Sequence, residues 1–140
     1  MDAASIGFTY APRVSERVLV GGGGGFGLSP FLGTTFATGS HFDATPNVNL
    51  LEVVNLQGFA RFELLPTLRV DTGARFGAFI HGSENFDGGP FAELFVAPGV
   101  VWRWLWVGPR VSAGVLSENG GPKAAVLAID YLMLRYVASW

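Results

Sequence analysis

His81, Ser83 and Glu93 are the residues of this chain best suited to carry chemistry. Alternate residues of a strand share a face, so His81 and Ser83 fall side by side, and Glu93 enters from the next strand across the intervening loop. A hydroxyl, an imidazole base and an orienting carboxylate are what nucleophilic acyl transfer requires. Such a trio also gathers near one loop by chance, so it is a candidate on site geometry alone and ranks behind a non-enzymatic role. The other histidine, His41, stands close to Asp43 in a segment read as a loop and is most simply a solvated residue. Two imidazoles exclude metal sites built on several of them. The glycine run 21–25 lacks the Lys-Ser/Thr of a phosphate-binding loop, and no G-x-G-x-x-G opens a helix with an acidic residue about twenty positions on. No metal or cofactor is expected.

The elements that would position these residues are strands. In 68–80 the even residues Leu68, Val70, Thr72, Ala74, Phe76, Ala78 and Ile80 share one face, and Arg69, Asp71, Arg75 and Phe79 share the other. The run before Pro66-Thr67 alternates likewise: Val54, Leu56, Ala60, Phe62 and Leu64 oppose Asn55, Gln57, Phe59, Arg61 and Glu63. A second hairpin joins 91–103 to 105–116 through a tight turn near Trp104, with Glu93 and Arg103 answered by Arg110 and Ser112. Looser Gly-, Asn- and Asp-rich connections at 83–89 and 117–122 lie at the opposite end. Ser29-Pro30 is read as a turn joining 17–28 to 31–38; residues 4–11 supply the first strand and 123–140 the last. The expected fold is all-β: one domain over 1–140, eight antiparallel strands in an up-and-down barrel, both termini at the tight-turn end. Reading 29–47 as one loop would leave seven strands and put the termini at opposite ends.

Composition narrows the class. Of 140 residues 49% are apolar and 14% charged, against about 25% charged in soluble domains, too few for an ordinary wet surface. No apolar run approaches the roughly 20 residues of a spanning helix. Twenty glycines, eight prolines and twelve phenylalanines favour strands and turns. With no cysteine there is neither a disulfide nor a thiolate site, and a net charge of −2, with Lys123 the one lysine, excludes nucleic acid as a partner. The first five residues lack the basic and apolar regions of an export signal, so an exported protein would correspond here to a mature form with Met1 added.

Alternation alone does not say whether the oily face points inward, as in a soluble lipocalin-like barrel holding a small apolar ligand, or outward to lipid. Three features favour outward. The polar face is rich in Gly, Ala and Phe and nearly free of Lys, so it would make a poorly soluble surface. Trp102, Trp104, Trp106 and Trp140 all map to the tight-turn end, where an interfacial aromatic girdle would sit. Arg61, Glu63, Arg69, Asp71, Arg75, Glu93, Arg103, Arg110 and Arg135 share the polar face of neighbouring strands, so a closed lumen would pair them across strands. Asp130 departs from the scheme: strict parity with Leu132 and Leu134 turns it to lipid, and either a bulge near it or a strand end standing above the membrane would resolve the conflict.

The hairpin phrases 27–33 and 64–70 resemble the periplasmic turns of small outer-membrane β-barrels of the OmpA/OmpX type. The ending 132–140, alternating and closing on an aromatic, resembles that family's C-terminal assembly signal, with Trp140 where Phe is usual. The resemblance is one of pattern over most of the chain. It implies a bacterial outer-membrane location, a bilayer with lipopolysaccharide as surroundings, insertion by the barrel-assembly machinery, and a monomer. It implies no reaction. The His81-x-Ser83 pair with Glu93 is also similar to the set in outer-membrane lipid A deacylases, although Glu84 stands where that family tends to carry Asn and the trio parses to the lumen. Eight strands enclose a lumen that side chains just fill, so a wide, porin-like channel is not expected. A structural or envelope role is the leading reading.

Overall fold

A computed structural model describes the backbone of residues 4–28, 33–39, 42–46, 50–81, 88–103, 105–117 and 123–136, and side chains within 9–25, 54–79, 88–103, 105–117 and 125–129. The described elements are β1 (Ala4–Tyr10), β2 (Arg13–Ser15), β3 (Val18–Leu28), β4 (Gly33–Gly39), β5 (Phe42–Pro46), β6 (Leu50–Glu63), β7 (Leu68–His81), β8 (Gly88–Trp102), β9 (Leu105–Ser117) and β10 (Lys123–Tyr136). All pairings are antiparallel, in the order β1-β3-β6-β7-β8-β9-β10-β4-β5, with β2 also on β3. Eight strands alternate up and down from β1 to β4, and β5 adds a short arm. Among the described residues no pairing joins β5 to β1, so the sheet is not closed.

Two expectations about the N-terminal half need correction. Segment 33–39 does not pair with 18–28: β3 turns to β6, and β4 crosses to β10, with Thr35 opposite Ala128. Its Gly- and Thr-rich faces carry little contrast between oily and polar, so the local pattern does not specify a neighbour. The first strand also runs past Ala11. Val20 N donates to Pro12 O at 3.1 Å, β2 continues alongside β3, and the turn falls at Glu16-Arg17. Ala4 therefore lies opposite Leu28 at the loop end, while Tyr136 lies opposite Leu105 at the tight-turn end. The first described strand of the chain thus begins at the loop end and the last finishes at the tight-turn end, where both ends were expected at the tight turns. Ser29-Pro30 lies outside the described residues.

One face of the sheet is covered. From Phe91 to Trp102 burial alternates without exception, odd residues buried and even residues exposed. A flat single sheet would expose both faces, yet Asp71, Ala97 and Trp106 are wholly buried, so the sheet curls around its inner face. Phe59, Phe95, Ala97, Val101 and Trp106 form the core cluster, and Ala11 packs against it; Gly21, opposite Phe59 in the register, lies between Ala11 and that ring. Tight curling brings strands close, and small inner residues permit it: a Cβ on Gly73 would collide with the β6 backbone at Gly58 and Phe59.

Candidate functional site

The feature that distinguishes this molecule is its interior, which carries charge. Register sets the pairs. The turn at 64–67, closed by Leu64 N to Leu68 O at 3.0 Å, places Glu63 opposite Arg69 and Arg61 opposite Asp71. Arg61 holds Asp71 in a two-pronged pair, Nε to Oδ1 at 2.7 Å and Nη2 to Oδ2 at 2.8 Å, with the Asp71 side chain fully buried. Arg75 stands opposite Glu93 across β7 and β8, and Nε and Nη2 reach Oε1 at 2.8 and 2.7 Å. Nearer the tight turns Glu63 is shared by Arg69 at 3.1 Å and Arg13 at 2.8 Å.

Aromatic layers separate the charged ones. Arg61 lies over the Phe59 ring and Arg75 over the Phe91 ring, both at 5.4 Å from the centroid. Each guanidinium thus has a carboxylate on its edge and a π face beneath it, which offsets part of the cost of removing it from water. The interior is an alternating stack of ion pairs and rings.

Of the nine charges expected there, Arg61, Glu63, Arg69, Asp71, Arg75 and Glu93 form these pairs, and Arg110 is buried on the same side. Arg103 is not among them. It occupies the turn after β8 with φ 55°, is exposed, and lies over the Trp102 ring at 5.6 Å, because the hairpin turns there before another inward position occurs. Arg135 stands opposite Trp106 in the register, and its side chain lies outside the described residues. Asp130 stands opposite Arg110, and a register shift between Asp130 and Met133 reverses the alternation beyond it. That shift is the first of the two resolutions the sequence pattern allowed, and it brings Asp130 into register with an inward arginine.

The aromatic girdle divides as well. Trp102 is 68% exposed at the tight-turn end, but Trp106 has no exposed surface and belongs to the core. It shares the alternation of Arg110 and Ser112, and its indole lies over Gly99, where any Cβ would collide with the ring. Trp104 and Trp140 lie outside the described residues.

Of the acyl-transfer trio, the described residues His81 and Glu93 stand on distant rungs. Glu93 is committed to Arg75, and His81 lies six positions further along β7 than Arg75. At a strand's rise of about 3.4 Å per residue that puts His81 about 20 Å from the Glu93 rung, far beyond hydrogen-bond reach. Ser83 and His41 lie outside the described residues. Among the described residues no three His, Asp or Glu side chains gather into a metal-binding group.

The outer face is the converse. On β6 to β9, outward positions between Val54 and Val115 carry no charged residue among the described side chains. The one polar side chain, Thr72, donates its hydroxyl to Phe95 O at 3.1 Å within the wall. Leu94 is 69% exposed, Phe76 54% and Val100 52%.

Neither the protein-family models, nor the curated proteins, nor the solved structures contain a match to this chain.

Proposed function

We propose that the chain is an integral outer-membrane β-barrel protein of the OmpA/OmpX kind, with a structural or envelope role and a lumen plugged by its own side chains. One observation carries this reading: a wall whose described outward positions on β6 to β9 are uncharged and widely exposed, around an interior whose charges pair with one another. In water that arrangement is inverted, since exposed surfaces ordinarily hold the charges. In acyl chains it is the low-energy sorting, because an Arg or Lys facing mid-bilayer costs about 2–4 kcal/mol.

The dimensions fit. On β8 the outward apolar positions run from Pro90 to Trp102. Twelve steps of about 3.4 Å give about 40 Å along the strand, or about 28 Å of height at the roughly 45° tilt usual for membrane strands. That matches the apolar band of about 25 Å such barrels present to lipid. The buried Arg61–Asp71 and Arg75–Glu93 pairs leave an interior ill suited to a small apolar ligand, which disfavours the lipocalin-like alternative.

The test is biochemical. Refolded in detergent, the protein is expected to show β-type circular dichroism and a different gel mobility with and without boiling. In planar bilayers it is expected to conduct no steady current. A chain that stays monomeric and soluble without detergent would remove this reading.

A further inference from the structure

We propose that the tight-turn end is a collar that binds the phosphate groups of anionic glycerophospholipids in the leaflet it faces. This rests on the membrane reading above and adds a partner and an orientation to it.

The collar is built where three turns meet. Val101 N donates to Thr67 O at 2.7 Å, joining β8 to the turn between β6 and β7, and Glu63 N donates to Arg17 O at 2.8 Å, joining that turn to the one at Glu16-Arg17. Exposed apolar groups and exposed cations both stand on these turns and the strand ends beside them. Trp102, Leu65 and Val14 are 68%, 58% and 61% exposed, and Arg13, Arg17 and Arg103 are exposed beside them. Among the described side chains four arginines (Arg13, Arg17, Arg69 and Arg103) stand with two glutamates (Glu16 and Glu63) there, a local excess of positive charge on a chain whose net charge is −2. Glu63 is shared by Arg13 and Arg69, which leaves one positive charge on that group, and Arg17 and Arg103 against Glu16 leave a second at the exposed rim.

Arg103 supplies an independent indication. A left-handed backbone is unfavourable for a non-glycine residue, and tight hairpin turns usually fill such positions with Gly or Asn. Here the position holds an arginine whose guanidinium lies on the exposed Trp102 ring. A guanidinium stacked on an indole keeps its edge free for two parallel bonds to phosphate oxygens, while the indole sits at headgroup depth. Tight turns of outer-membrane barrels face the periplasm, so the leaflet in reach is the phospholipid one.

The experiment is lipid selectivity in bilayers. The full chain is reconstituted into phosphatidylcholine vesicles carrying spin-labelled phosphatidylglycerol or spin-labelled phosphatidylcholine, and the motionally restricted fraction is read by electron paramagnetic resonance. The wild type is expected to prefer phosphatidylglycerol about fivefold, the size of one arginine engaged at an anionic surface, and to lose the preference in about 1 M salt. The Arg17→Gln/Arg103→Gln variant should restrict both lipids equally, while Lys123→Gln, at the other end of the strands, keeps the wild-type preference. Equal restriction of both lipids by the wild type overturns the collar and leaves the membrane reading standing, as does a preference that survives in the double variant. A preference shown only for added lipid A assigns the phosphates to the other leaflet and overturns it too. A protein that restricts neither lipid and remains in the aqueous phase removes the membrane reading and the collar together.

Discussion

β8 forms one seam with β7 and another with β9, and the two are held in different ways. Between β7 and β8 the ladder runs unbroken from Leu68–Val100 to Ile80–Gly88, passing Pro98 and Pro90 without a gap, and the Arg75–Glu93 pair ties it on the inside. Between β8 and β9 the pairing stops at Val96–Val111 and resumes at Val100–Val107. Three rungs are unpaired, and the middle one sets Pro98 against Pro109. Two prolines facing each other lack both amide hydrogens, so neither can donate across the seam. Continuity of the first ladder shows that the missing hydrogen of Pro98 falls on the β9 side. What replaces the lost bonds is packing: the Trp106 indole from β9 lies over Gly99 of β8. One seam is held by main chain and charge, the other by an aromatic plug.

The largest effect is expected at the charged seam. Glu93→Gln leaves the buried Arg75 without its counter-charge, and detergent-folded protein should lose about 3–5 kcal/mol, read as a lower urea midpoint. Arg75→Met/Glu93→Met should recover much of that loss, since replacing a whole buried pair with apolar volume is far cheaper than breaking it. If the single variant unfolds at the wild-type midpoint, the pair does not hold the seam.

At the other seam Gly99→Val should cost about 1–3 kcal/mol by displacing the Trp106 ring, with a red-shifted tryptophan emission as the indole meets more polar surroundings. An unchanged emission spectrum would mean that the indole does not depend on the space above Gly99. The smallest effect is expected from Pro98→Val, which restores one donor. It should add about 0.5–1.5 kcal/mol and slow hydrogen exchange of the new amide, while leaving amides on the β7 side unchanged. Fast exchange of that new amide would place the lost hydrogen elsewhere.

The same contrast explains what the sequence disclosed. The meander from β6 to β9 was legible because strict alternation assigns a face to every residue and short turns at 64–67 and near Arg103 fix the register. Arg61–Asp71, Glu63–Arg69 and Arg75–Glu93 follow from those two constraints. Trp106 was also legible in principle, since it alternates with Arg110 and Ser112, but grouping it with its neighbouring tryptophans obscured that parity. Its partner Gly99 has no side chain to announce the contact. The place of β4 beside β10 was not legible: the pairing spans most of the chain, and neither face of Gly33–Gly39 is distinctly oily.

The central claim is that the oily face meets acyl chains, and the absence of cysteine allows a direct test. A nitroxide placed singly by Leu94→Cys or Val96→Cys, in protein reconstituted into bilayers, should collide freely with dissolved oxygen and hardly with a water-soluble nickel complex. A label at Phe95→Cys should be immobile and shielded from both. Ready collision of the labels at 94 and 96 with the nickel complex would put that face in water and contradict the account.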